Sequence, residues 1–221
     1  HEYALRIGTG NYEAEEYGRK KLINLSKQTI FTSVKSSYFI FSAKNDAKQN
    51  KFSYRYSPEP IYPGLKINTE FNPSYSIYSN KSSQALINLK VGPEITFGSL
   101  NKSFLDFTRI SVMPGITIKD GSSPFKFDNE VDLRTVKFDL DQQIVGALLF
   151  SSTFEFNIDK DSHNYGKSLS SQTALIIHRR SYEFGIFYQP YQEVGGIMFR
   201  LNGFSFDNSS PPFIINESSK I

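Results

Sequence analysis

Apolar and polar residues alternate along most of the chain, most clearly between residues 136 and 158. The apolar positions there are Val136, Phe138, Leu140, Leu148, Phe150, Phe154, Phe156 and Ile158. Between them lie Lys137, Asp139, Asp141, Ser151, Thr153, Glu155 and Asn157. Because successive side chains of a β-strand point to opposite faces, this pattern predicts strand structure with one polar and one apolar face.

Segments 64–79 and 84–98 are predicted to form an antiparallel hairpin. Their apolar residues fall on odd positions, and the sequence NKSS at 80–83 between them is typical of a turn. Each strand is about 15 residues long, whereas strands of globular proteins cluster near about 5–6 residues and a tilted membrane-spanning strand needs about 9–11. The length of this hairpin therefore favours a membrane-spanning sheet.

The same alternation predicts further strands at 2–14, 27–41, 51–57, 108–120, 169–180, 181–190 and 193–206. Only segment 12–25 has a helix-favouring composition, and Gly18 interrupts it. We therefore expect an all-β fold of about 10–11 strands in an antiparallel meander. Residues 1–221 should form a single domain, with 207–221 as a flexible C-terminal tail.

Composition is compatible with a β-barrel in a membrane. The chain has 20 Phe, 13 Tyr and no Cys, and its mean hydropathy is −0.38. No stretch approaches the ~18 apolar residues of a membrane helix, but a barrel strand needs apolar residues only at alternate positions. A net charge of +3 without a basic stripe argues against nucleic-acid binding. The chain opens with His1 and shows no signal peptide, so we expect a piece of a longer or processed protein.

No motif in the sequence predicts catalysis. The three histidines, His1, His163 and His178, are scattered, and no G-x-S-x-G motif occurs. Clustered metal ligands are also lacking. We expect neither an enzyme nor a bound cofactor or metal.

Six sequence segments, in this order and spacing, carry a resemblance to a known family. They are SPEPIYPGL (57–65), FLDFT (104–108), GSSPFKFDNEVD (121–132), DQQIVGALL (141–149), HRRSYEFGIFYQP (178–190) and GGIMFRLNGFSFD (195–207). Together they resemble the cyanobacterial branch of the LptD/OstA-like outer-membrane lipopolysaccharide-assembly proteins. The resemblance covers most of residues 50–213.

This resemblance implies an outer-membrane β-barrel, here the C-terminal portion of a larger one, that delivers lipopolysaccharide or a related glycolipid to the outer leaflet. It also implies a lipoprotein plug and a periplasmic bridge protein as partners. Two alternatives stay open from the residues alone. One is a general outer-membrane porin or channel, and the other is a soluble lipid-binding β-sandwich.

The odd or even position of a residue in its strand decides which face of the sheet its side chain is on. This alternation gives candidate residues for the polar interior of such a barrel. The basic ones are Lys66, Lys90, Arg109, Lys119, Lys137 and Arg180. They are interleaved with Glu70, Glu94, Asp139 and Asp141. These bases are predicted either to contact anionic groups of a glycolipid or to form cross-strand ion pairs that hold the wall together.

Two further predictions concern the membrane itself. Six tyrosines near strand ends are predicted to lie in the aromatic girdles: Tyr38, Tyr75, Tyr78, Tyr182, Tyr188 and Tyr191. Gly196, Phe199 and Leu201 resemble the last-strand signal that barrel-assembly machinery recognises, although an ordinary strand has the same pattern.

Overall fold

A computed structural model describes residues 1–42, 61–98, 102–129, 132–179 and 181–201. They form ten strands of a single antiparallel sheet, in which the spatial order is the chain order. The strands are β1 Glu2–Glu15, β2 Leu22–Ser42, β3 Gly64–Tyr78, β4 Ser83–Phe97, β5 Thr108–Gly121, β6 Arg134–Val145, β7 Leu148–Asn157, β8 Ser168–His178, β9 Tyr182–Gln189 and β10 Val194–Leu201.

The all-β meander is confirmed. Segment 12–25 is not helical: β1 and β2 occupy most of it, and they turn at 16–21. The long alternation from 136 to 158 is two strands, because the chain turns at Gly146, whose φ of 55° lies in the left-handed region that glycine adopts easily. The predicted strand at 51–57 and the predicted tail at 207–221 lie outside the described residues.

The predicted hairpin is also confirmed. β3 and β4 pair from Gly64↔Thr96 to Ile77↔Ser83, so the odd positions of both strands share one face. Odd-numbered Ile77, Ile87 and Ile95 are exposed, whereas the even-numbered positions of β4 near its end are buried.

The burial pattern is the reverse of that of a soluble sheet protein. Buried polar residues, among them Glu94, Thr96, Ser111 and Thr117, far outnumber buried apolar ones. Large apolar side chains are exposed along every strand except β7, where they are half-buried; Ile7, for example, is 75% exposed. The sheet therefore has one polar face, on which many side chains are buried, and one apolar face, on which many side chains are exposed.

The polar face is concave. Lys90 on β4 and Glu155 on β7 are three strands apart, which is about 14 Å in a flat sheet. Their Nζ and Oε1 atoms nevertheless lie 2.5 Å apart. β1 and β10 are the two edge strands, and among the described residues no pairing joins them. The described sheet is thus strongly curved but not closed.

Candidate functional site: the polar concave face

A row of alternating charges crosses β3 to β6 on the concave face. Lys66 Nζ lies 3.0 Å from Glu94 Oε1. Arg109 lies between two acids: its Nε is 3.9 Å from Glu94 Oε1 and donates a 2.9 Å hydrogen bond to Asp141 Oδ2. Asn68 Nδ2 donates to the other oxygen of Glu94 at 2.7 Å. Cross-strand neighbours thus supply each buried carboxylate with a donor.

A second group of charges lies at mid-height of the sheet. Glu70 forms ion pairs with two bases, with its Oε1 3.8 Å from Lys35 Nζ and 3.9 Å from Lys137 Nζ. Lys137 also lies 3.4 Å from Asp139 Oδ2. Because β3 and β6 are not adjacent, the Lys137–Glu70 contact reaches across the interior.

A cavity of about 840 Å³ lies against this face, lined by residues of β1 to β8. β1 residues and Ser170 on β8 border the same space, which shows how far the sheet curves around it. Its walls carry amides and hydroxyls, such as those of Asn72, Asn88 and Thr135. Three basic residues (Arg6, Lys35, Lys90) and four acidic ones (Glu2, Glu70, Asp132, Glu155) also line it, so its formal charge is close to zero.

Four of the six predicted basic residues, Lys66, Lys90, Arg109 and Lys137, are paired with carboxylates on the concave face. Lys119 Nζ donates to Asn129 Oδ1 at 2.7 Å. Arg180 lies outside the described residues. The predicted ion pairs are therefore present, and contact with a glycolipid stays a prediction.

One element of the concave face was not predicted from the sequence. Residues 122–129, which we call the inner loop, leave β5 and fold over the concave face towards β1. Phe125 at its centre is 0% exposed. Its Ser, Lys, Asp and Asn residues are typical of an exposed turn, and only the tertiary structure shows what the segment covers.

The girdle prediction is wrong for Tyr78. This side chain is 2% exposed and points to the concave face, where its hydroxyl donates to Asp128 of the inner loop. Tyr78 has an even position on β3, as Ser74 and Ser76 do, and shares their face of the sheet. The alternation of side chains along the strand therefore predicts the observed direction of Tyr78. The other five tyrosines are exposed, as a girdle position requires.

The predicted assembly-signal residues lie on β10. Phe199 and Leu201 point to the apolar face together with Ile197. Gly196 lies on the other face, where an added Cβ would be 3.0 Å from the ring of Phe187. The structure thus places the three residues on one edge strand but on two faces of the sheet.

Within the described residues, no group of three or more His, Cys, Asp or Glu side chains is arranged to hold a metal ion. No helix there is long and apolar enough to cross a membrane. The arrangement provides many paired charges and neutral hydrogen-bonding groups around a polar space.

A family model described as "Protein of unknown function (DUF3769)" matches residues 1–205. The chain belongs to the DUF3769 family. Neither the curated proteins nor the solved structures contain a match to it. Membership in DUF3769 therefore assigns no activity, and the function has to be argued from the sheet itself.

Proposed function

We propose that this DUF3769 chain is a non-enzymatic outer-membrane β-barrel component that delivers lipopolysaccharide or a related glycolipid to the outer leaflet. The observation that carries the proposal is the reversed burial of the sheet, in which Ser111 and Glu94 are buried while Ile7 and Ile197 are more than 70% exposed. In water such a surface would be costly at about 25 cal/mol per Å² of apolar area, and in lipid the cost disappears.

The length of eight of the ten strands supports the same environment: β1 to β8 have 10–21 residues, whereas β9 and β10 have eight each. β3 and β4 have 15 residues each, which exceeds the about 9–11 residues that cross a bilayer at a tilt. The polar concave face would then enclose an aqueous interior. The glycolipid part of the proposal is supported by the sequence resemblance and by the hydroxyls, amides and charges around the 840 Å³ cavity.

The soluble β-sandwich has less support. A sandwich buries its apolar faces between two sheets, whereas the described strands form one sheet whose apolar face is uncovered. The porin alternative shares the barrel, but ion pairs that reach from β3 and β4 to β6 and β7 cross the interior, and the inner loop is bound to β4 at one end of it.

Nitroxide labels on the β3–β4 hairpin test the membrane location. The chain has no native Cys, so single cysteines can be introduced without background. In lipid vesicles, labels at Ile67 and Ile87 should be accessible to oxygen, and labels at Asn68 and Asn88 to a water-soluble nickel complex. The opposite pattern would contradict the proposed orientation of the sheet.

Bilayer recordings separate glycolipid export from general diffusion. A component that passes glycolipid through an occluded interior should give little steady current. A large steady conductance of the reconstituted chain would instead favour the porin.

A further inference from the structure

The inner loop adds backbone pairing to the β1–β2 hairpin. Tyr17 N donates to Pro124 O at 2.8 Å, and Lys126 N donates to Glu15 O at 2.9 Å. These bonds flank an antiparallel bridge between Glu16 and Phe125. The loop therefore begins at β5 and reaches the opposite side of the concave face, at the end of the sheet where the β1–β2 and β3–β4 turns lie.

Asp128 fixes the loop to the strands that it crosses. Its carboxylate accepts from Lys27 Nζ on β2 at 2.7 Å and from the hydroxyl of Tyr78 on β3. Gln84 on β4 donates to its backbone carbonyl at 3.0 Å. Ser123 within the loop adds a third donor to the carboxylate at 3.2 Å. One acidic residue thus joins the loop to three successive strands.

An aromatic cluster fills the space beneath the loop. The ring of Phe125 lies 6.1 Å from that of Tyr12, 5.9 Å from that of Tyr78 and 5.3 Å from that of Phe127. Phe125, Tyr78 and Ser123 are buried in this contact, whereas Tyr12 and Phe127 at its margin remain exposed.

We propose that residues 122–129 form a lid that closes the polar interior at this end and that Asp128 holds the lid closed. The inference rests on the proposed function, because only an interior that passes a molecule needs a lid. The loop is covalently continuous only with β5 and β6, and its polar contacts with β2 to β4 can be exchanged for contacts with water. It can therefore open while the strand ladders stay intact.

Thiol labelling in the otherwise cysteine-free chain tests this inference. Ser76→Cys places a reporter at the next inward position on β3 from Tyr78, where the native serine is 6% exposed. Ser111→Cys places a second one on β5, further along the concave face from the loop, where Ser111 is also buried. Each reporter is combined with Asp128→Asn and, as a matched control, with Asp120→Asn, which removes an exposed carboxylate of the same strand–loop region.

In detergent micelles, Asp128→Asn should speed maleimide labelling at position 76 at least tenfold and leave labelling at 111 unchanged. Asp120→Asn should change neither rate. Equal rates at 76 with and without Asp128→Asn would overturn the proposal. So would equal acceleration at both reporters, because the loop would then be a structural tie of the whole sheet.

Lys27→Gln provides a second variant that leaves the loop sequence intact, and it should reproduce the effect of Asp128→Asn. If neither variant folds, the contact is structural and the lid is refuted. The thiol-labelling measurements need no bilayer. They can therefore refute the lid while the nitroxide experiment supports a membrane location, and they can support the lid while the nitroxide experiment contradicts that location.

Discussion

Charged side chains on the concave face neutralise one another at short range. Arg109 shows this best, because its guanidinium contacts Asp141 and lies near Glu94, which Lys66 also contacts. An anionic ligand would have to compete with these carboxylates for each base. Arg6, by contrast, has no ion pair within the described part of the chain and borders the cavity.

Arg109→Gln should therefore lower the free energy of unfolding by about 1–2 kcal/mol. This is less than the about 3–5 kcal/mol expected for one partner of a fully buried pair, because the Arg109 side chain is 39% exposed. Arg6→Gln is the matched control, and it should stay within about 0.5 kcal/mol of the unaltered chain. Urea titration in lipid vesicles measures both. If Arg109→Gln were as stable as the control but impaired glycolipid export, Arg109 would be a ligand contact.

Among the strands, the β4–β5 junction departs most from a regular ladder. Pro93 and Pro114 lie in interior strands, and the pairing between β4 and β5 is interrupted from Lys90↔Gly115 to Glu94↔Ser111. Pro93 still has a partner on β3, as Pro114 does on β6. Proline has no backbone N–H to donate to a neighbouring strand. The two prolines lie in the interrupted part of the β4–β5 pairing, while β4 stays paired with β3 and β5 stays paired with β6.

Gly92→Ala tests how closely these strands pack. A Cβ on Gly92 would overlap the carbonyl oxygen of Val112, so β4 and β5 would have to separate locally. We expect a loss of about 1–3 kcal/mol in unfolding free energy, as for other overpacked sites. Gly8→Ala in β1 is the control: nothing lies within 4 Å of its added Cβ, and stability should be unchanged or slightly higher. Equal effects of both substitutions would contradict the close approach at Gly92.

Sequence alone predicted the strands and their two faces, because alternation depends only on the local period of the chain. The direction of Ile87 and Asn88 follows from this period, and so does that of Lys137 and Asp139. Sequence did not predict which acid each base contacts, since Lys90 and Glu155 are 65 residues apart and meet only through the curvature of the sheet.

The inner loop was missed for a related reason. Its contacts with Glu15 and Lys27 are long-range, and its composition of Ser, Lys, Asp and Asn is typical of an exposed turn. Phe125 and Phe127 were the available signal: two aromatic residues in a polar loop between strands indicate a loop that packs against something.

As a whole, the sheet has a continuous apolar exterior and two edges, β1 and β10. A lipid environment offers no hydrogen bonds, so the backbone groups of both edges must be paired there, either with each other or with other strands. β10 is therefore one of the two strands whose outer edge is unpaired within the described sheet, so a recognition signal for membrane assembly is physically reasonable there.

Phe199→Asp should block insertion into the outer membrane if Gly196, Phe199 and Leu201 form such a signal. Two controls separate the signal from the general cost of a charge. Phe184→Asp places the same charge on the apolar face at the paired position of β9. Met198→Asp places it on β10 but on the polar face, beside Arg200.

A charge that faces lipid costs about 2–4 kcal/mol for a basic residue at mid-membrane and less for an acidic one, so Phe184→Asp should reduce the inserted fraction only in part. Met198→Asp should insert normally, and Phe199→Asp should leave almost no heat-resistant, inserted protein in the membrane fraction. If Phe184→Asp and Phe199→Asp lowered insertion equally, the effect of Phe199→Asp would come only from placing a charge in lipid. β10 would then be an ordinary strand, whose exposed Ile197 and Phe199 serve the same purpose as the apolar residues of the other nine.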